Sequence, residues 1–327
     1  TNHTHIYFLE DKTFVFVLQC RPLTAAKQRI ADILPKERCF IPLPSKMPLA
    51  QQGAFGMKHR FLMKKERSFL MEQFAMTFTS NTGLLVQYGD TKVLFDSLYG
   101  KSGHRFCPLP QFLEREIMAG EGDFSHIDYL VFSHNHADHF SAKYLKAYLQ
   151  QNTVKGIFLP EDLLLETDLM AFLKAEKIPT MFFSKNPNLN RTIVLGKSFR
   201  MRAIPMCHQG EIYQDVPHFC FLLSCGTEHF LLTADVDFTK EDFSAFSKTD
   251  LDGVFVNPLF FHSKEGQQVI RETINPKEVF VYHIPFASDD VLSMRKMVKR
   301  DCDKWDACPV TPLWEPMQRE CRTVDRG

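Results

Sequence analysis

Between residues 74 and 300 the apolar positions fall into short runs separated by glycine, proline or clusters of polar residues. Such runs predict strands and helices that alternate along the chain. Leu84-Leu85-Val86-Gln87-Tyr88 and Lys92-Val93-Leu94-Phe95-Asp96 flank Gly89-Asp90, a tight-hairpin signal. Residues 76–79 alternate in polarity, 126–132 form a further apolar strand, and 140–149 carry helical spacing. Later strands are expected at 154–159, 180–183, 192–195, 199–206, 219–224, 230–234, 253–256 and 279–282. Helices are expected over 161–175, 264–274 and 289–299. Consecutive strands followed by strand–helix units predict an α/β (α+β) chain with two mixed sheets and helices outside.

The ends read differently. Residues 5–19 alternate loosely around Glu10-Asp11-Lys12, which predicts a hairpin. An amphipathic helix is expected over 24–33, with Thr24 as its cap and Pro35 as its stop. Pro42, Pro44, Pro48, Gly53 and Gly56 make 39–56 an extended linker. The expected organisation is an N-terminal extension over 1–72, a principal domain over 73–300 and a tail over 301–327. The tail, with Cys302, Trp305, Cys308 and Trp314, reads as irregular.

Composition narrows the partners. Lys and Arg total 39 and Asp and Glu total 39, so no overall field draws the chain to nucleic acid. Nine cysteines without a Cys-x-x-Cys pair do not form a disulfide framework, and a reduced, cytoplasmic setting is expected. No run is long and apolar enough to span a bilayer, and Asp11 and Lys12 interrupt the first apolar stretch, so neither a membrane nor a signal peptide is expected.

The chemistry is concentrated at Ser133-His134-Asn135-His136-Ala137-Asp138-His139, on the turn between a strand and a helix. Four ligand-type side chains on one turn would repel when charged and lose hydration when buried. A divalent cation removes both costs, because neutral imidazole and carboxylate are good ligands for it. Three later apolar strands each end in one more such residue: His208, Asp235 and His283. Asp96 ends an earlier strand. Cys207 adjoins His208 and is read as packing on the opposite side of the strand.

His134-x-His136-x-Asp138-His139, followed in order by His208, Asp235 and His283 and preceded by Asp96, resembles the motif set of the metallo-β-lactamase superfamily over about residues 75–300. The resemblance implies a four-layer αββα sandwich with two divalent metal ions between the sheets. It implies that His134, His136 and His208 hold the first ion, and that Asp138, His139 and His283 hold the second. Asp235 would bridge the two, and Asp96 would support the metal loop from behind. Ala234 stands before Asp235 where many members have glycine. Imidazole and carboxylate without thiolate favour zinc, with manganese or iron as alternatives. Two such ions acidify water at neutral pH, and Asp138 would orient the nucleophile and manage its proton.

The implied activity is hydrolysis of an ester, lactone or phosphodiester in a small molecule, in the style of the L-ascorbate-6-phosphate lactonase-like branch. One alternative is an iron-dependent redox enzyme, although di-iron oxygen reductases of this fold usually have glutamate where His136 stands. Another is a nuclease, for which the only basic cluster is Lys58, Arg60, Lys64, Lys65 and Arg67. Lys101, His104 and Arg105 are candidates for an anionic substrate at the mouth of the site, His218 and His262 for further substrate contacts, and Phe260-Phe261 for a pocket wall. A homo-oligomer is left open.

Overall fold

Period-two alternation sorts the strand residues onto two faces. In β5 (Thr91–Phe95), Val93 and Phe95 face one core while Leu94 faces another. The same division recurs along most strands of this computed structural model. It describes residues 71–100 and 107–327, together with two short strands near the start. Those strands, β1 (His5–Ile6) and β2 (Phe16–Val17), pair antiparallel where the hairpin is expected. The expected helix over 24–33, the linker over 39–56, the basic cluster over 58–67 and Lys101, His104 and Arg105 lie outside the described residues. The chain divides into Thr1–His59 and Arg60–Gly327, and the second unit carries the sheets and the site.

That unit has two seven-stranded sheets. In the first, β3 (Met71–Phe78), β4 (Leu84–Tyr88) and β5 form an antiparallel meander. The sheet then continues in parallel through β6 (Tyr129–Val131), β7 (Gly156–Pro160) and β8 (Thr180–Phe183). The second sheet repeats this plan. After an edge strand, β9 (Ile193–Gly196), comes the meander of β10 (Phe199–Pro205), β11 (Phe219–Cys225) and β12 (Glu228–Leu232). Parallel β13 (Gly253–Val256), β14 (Val279–Val281) and β15 (Val310–Pro312) follow. The last strand, β16 (Arg319–Asp325), returns to pair with β3 over seven residues. Residues 301–327, read as irregular, thus supply an edge strand to each sheet.

Phenylalanine fills the space between the sheets. Phe74 stacks on Phe230 at 4.6 Å between ring centroids, and Phe95 lies 5.5 Å from Phe221. Full burial of each such ring contributes on the order of 1.5–3 kcal/mol. Outside the first sheet, α1 (Gln111–Ala119), α2 (Ala142–Leu149) and α3 (Thr167–Ala175) pack Leu113, Ile117, Leu145, Tyr148, Leu169 and Leu173 onto Leu94, Leu130 and Ile157. Outside the second, α4 (Pro258–His262), α5 (Lys264–Gln268) and α6 (Met294–Lys304) frame a core of Val254, Val256, Val279 and Val281. The layers run helix, sheet, sheet, helix, as expected from the strand and helix pattern.

Some boundaries differ from expectation. The helix expected over 289–299 is α6, which starts at Met294, because Asp290 turns back to accept the amides of Met294 and Arg295 at 2.7 and 3.0 Å. Helix α3 starts at Thr167, after a tight turn over Glu161–Leu165.

Candidate metal centre

The histidine turn leaves β6 at the edge between the sheets, and hydrogen bonds set the rings of His134, His139 and His208. Asp96, buried after β5, is the hub. Its Oδ1 accepts the Ser133 amide at 2.8 Å, and its Oδ2 accepts the hydroxyls of Ser133 (2.6 Å) and Thr82 (3.0 Å). Because Ser133 has given its one proton to Asp96, its 2.9 Å contact with His134 Nδ1 requires the ring nitrogen to donate. The lone pair of His134 is therefore on Nε2. The same reasoning applies to His139, whose Nδ1 lies 3.1 Å from Asp96 Oδ2 and 2.8 Å from Thr82 Oγ1. Carboxylate–imidazole pairing of this kind fixes a ligand's tautomer and orientation. His208 Nδ1 donates to the Gln209 carbonyl at 2.7 Å, so its lone pair is also on Nε2.

Those lone pairs converge. His134, His136 and His208 place donor atoms within 4.8 Å of one another, and so do Asp138, His139 and His283. Asp235 lies between the two groups. Its Oδ2 is 3.9 Å from His134 Nε2, 3.6 Å from His208 Nε2 and 3.4 Å from His139 Nε2, and its Oδ1 is 3.3 Å from His283 Nε2. Asp138 Oδ2 is 3.6 Å from Nε2 of both His139 and His283. Ligands about 2.1 Å from a tetrahedral zinc stand about 3.4 Å apart, so these spacings fit a cation in each group. The hydrogen bonding fits as well. Asp138 Oδ2, His139 Nε2, His208 Nε2 and Asp235 Oδ1 are buried without a hydrogen-bond partner. Orphaned groups of this kind cost about 1–3 kcal/mol each, and bound cations would satisfy all four.

The electrostatics divide the histidines. Burial, then the neighbouring His139, pushes the His134 ring well below the usual imidazole range. Burial, then His208, lowers His136 to about 4. His139 moves the other way: burial opposes its charge, yet the carboxylates of Asp138 and Asp235 hold its proton well above the usual range. Burial also opposes the Asp235 charge, but His283 and His139 keep that carboxyl well below its usual value.

Strain is stored at the strand exits. Asp96, Ala234 and His283 have φ of +41°, +45° and +58°, a left-handed region that costs a non-glycine residue roughly 1–3 kcal/mol. The alanine before Asp235 is one of these three. It takes a glycine-like conformation, held by a hydrogen bond from its amide to the Tyr282 hydroxyl.

Several residues with no structural role assigned from the sequence hold the site. Asn81 accepts the His283 amide on its carbonyl at 2.7 Å and donates its side chain to the Asp138 carbonyl at 3.2 Å. Gly83 closes that turn, and a Cβ there would lie 2.1 Å from Thr79 Oγ1. His218, expected as a substrate contact, is buried behind Asp235. Its Nδ1 donates to the Met206 carbonyl, and its Nε2 accepts the Asp235 amide, each at 3.1 Å. Asn81 and His218 are buried polar residues, a signal that emerges only with the fold.

Three expectations are corrected. His262 is on α4, paired with Asp301 at 2.6 Å, and does not line the site. Phe260 and Phe261 are fully buried in the core behind the second sheet rather than walling a pocket. Cys207 is exposed, because its strand has ended and its amide is held by Glu241.

The centre lies at the base of a cleft of about 850 Å³, lined by His136, Asp138, His208, Asp235 and His283 and, further out, by Tyr213, Pro285, Val291, Leu292 and Met294. Among the described residues no helix is long and apolar enough to cross a membrane.

No protein-family profile matches the chain, and no curated protein matches it. Solved structures do match in fold, and that fold is the αββα sandwich of metallo-β-lactamase type. A possible metal-dependent hydrolase from Veillonella parvula is 13% identical with a TM-score of 0.52, covering 76% of this chain and 99% of that one. The isothiocyanate hydrolase from Delia radicum gut bacteria is 10% identical with a TM-score of 0.50, covering 76% and 100%. CmlA, a diiron beta-hydroxylase from Streptomyces venezuelae, is 15% identical with a TM-score of 0.50 over 78% of this chain, which spans 54% of the hydroxylase.

Proposed function

We propose that the chain is a binuclear metal-dependent hydrolase that adds water across an ester, lactone or phosphodiester bond of a small molecule. The observation that carries this reading is the facing of two three-residue groups across one carboxylate, Asp235, at the base of an open cleft. In this reading His134, His136 and His208 hold one ion, Asp138, His139 and His283 hold the other, and Asp235 serves both. Zinc suits the donors, and manganese or iron are alternatives. Bound there, such ions supply Lewis acidity and acidify water.

The chain's own residues do the rest. Asp96 keeps the Nδ1 proton of His139 in place, so that ring presents its lone pair to the site. Ser133 does the same for His134. Asp138, which borders the cleft, holds the attacking water and takes its proton on a carboxylate oxygen. The wall of the cleft positions the substrate.

His134→Ala and Asp235→Ala should each abolish metal-dependent turnover of esters, lactones and phosphodiesters while circular dichroism shows the fold retained. Full turnover in either variant would sink the proposal. The second reading is iron-dependent oxygen chemistry. The fold likeness to a diiron hydroxylase favours it, and so does a nitrogen- and oxygen-only donor set. Elemental analysis finding zinc or manganese and no iron would remove it.

A further inference from the structure

The segment joining His283 to α6 is fastened at both ends. The Phe286 amide donates to Cys107 Sγ at 3.0 Å, and the Phe286 ring meets Phe78 edge-on at 6.4 Å. At the other end Asp290 accepts the first amides of α6, and Arg295 donates to the Trp314 carbonyl at 2.9 Å. Between these anchors the chain displays two successive aliphatic side chains, Val291 and Leu292, at 86% and 78% exposure. Large aliphatics at that exposure on a fastened turn are unfavourable in water unless something covers them in use.

Both border the metal cleft, with Pro285 and Met294 beside them. Tyr213 borders it too and belongs to the first metal group's side, its ring 4.8 Å from that of His136 and 5.2 Å from that of His208. Among the described residues no Lys or Arg lines the cleft, and Asp289 adds a third carboxylate to Asp138 and Asp235. The described wall, Val291, Leu292, Met294 and Pro285 with the ring of Tyr213, is mostly apolar. It suits an uncharged apolar group.

We propose that Val291, Leu292, Met294, Pro285 and Tyr213 form the acyl-binding wall of the site. The substrate is then an ester or lactone of an apolar acid, with its carbonyl over the metal centre and its acyl group along this wall. The proposal rests on the hydrolase reading for its chemistry: water supplies the oxygen that joins the acyl carbon, the acyl–oxygen bond breaks, and the alcohol leaves with a proton. The location of the apolar wall can be tested without turnover.

Calorimetric titration of the metal-loaded protein with straight-chain carboxylates of two to ten carbons, which stand in for the product acid, reads the wall directly. Affinity should rise about two- to fourfold per added methylene, fourfold being the value for complete burial. In the double variant V291S and L292S that slope should fall by at least half. L165S, at 83% exposure in the wild type and not bordering the cleft, should keep it. A wild-type affinity independent of chain length would overturn the proposal, as would a slope unchanged in the double variant. A change in oligomeric state of that variant with an unchanged slope would assign the two residues to self-association instead. Turnover provides the second arm. Preference for bis-p-nitrophenyl phosphate over p-nitrophenyl octanoate would also overturn the assignment. If neither is cleaved, the hydrolase reading fails and the chain-length slope alone decides whether an apolar ligand binds here.

Discussion

The two sheets share one plan, a three-stranded meander followed by three parallel strands, yet they supply the centre differently. In the first, every candidate ligand comes from one exit. The turn after β6 carries His134, His136, Asp138 and His139, and the β5 exit adds Asp96 as their anchor. In the second, the equivalent exit after β13 carries only Asn257, whose side chain caps α4 through the Phe260 amide at 2.9 Å. Its candidate ligands arrive singly: His208 after β10, Asp235 after β12 and His283 after β14. A local cluster needs a short-range scaffold of hydrogen bonds. A dispersed set needs the whole sheet in register, with each exit bent into place by its own device.

The comparison is broken most severely at the hub. Asp96→Asn should put an amide where the Ser133 and Thr82 hydroxyls and the His139 Nδ1–H now donate. The first sheet's ligands should lose their orientation together, lowering metal affinity about 10- to 100-fold. Competition with a chromophoric chelator measures this. An affinity within twofold of wild type would mean that the turn holds itself without Asp96.

Acid should expose the second sheet's dependence on His218. Burial, then His208, lowers that ring to about 3, against an unfolded value near 6.5. The unfolded state therefore binds more protons between about pH 3 and 6.5, and the stability of the metal-free protein should fall as pH falls through that window. His136, lowered to about 4, acts in the same direction. His139 is raised, so its contribution is complete below pH 6.5 and is lost only as pH rises through its folded value. Urea midpoints taken across pH should show an acid limb that is shallower in His218→Gln. An identical limb in that variant would remove His218 from the account.

The smallest expected effect is at the bend before Asp235. Ala234 adopts φ of +45°, and Ala234→Gly should relieve that strain for a gain of about 1 kcal/mol after glycine's greater freedom when unfolded is subtracted. A loss of stability, read by thermal denaturation of metal-free protein, would show that the hydrogen bond to Tyr282 needs the alanine.

The same asymmetry explains what could be read from the sequence. The turn at 133–139 is legible because its ligand-type side chains are adjacent, and the parallel-strand pattern of Ile157, Phe158 and Leu159 or Gly253 to Val256 is legible because both faces are buried. His208, Asp235 and His283 gain meaning only as a set. Asn81, Thr82 and His218 act through positions that no local pattern reveals, because a buried hydrogen bond between residues 57 apart, as between Asn81 and Asp138 or between Thr82 and His139, leaves no periodic trace. The 301–327 stretch looked irregular because β15 has only three residues and β16 turns the polar Glu320 and Arg322 inward beside Val324, so its burial alternates while its sequence polarity does not.

Metal stoichiometry tests the central claim most directly. Wild-type protein, stripped and reloaded with zinc, should hold about two ions per chain by elemental analysis. His136→Ala and His283→Ala should each lose one, and Asp235→Ala should weaken both. One ion in the wild type, or two ions undiminished in all three variants, would contradict a centre assembled from one turn of the first sheet and three strand ends of the second.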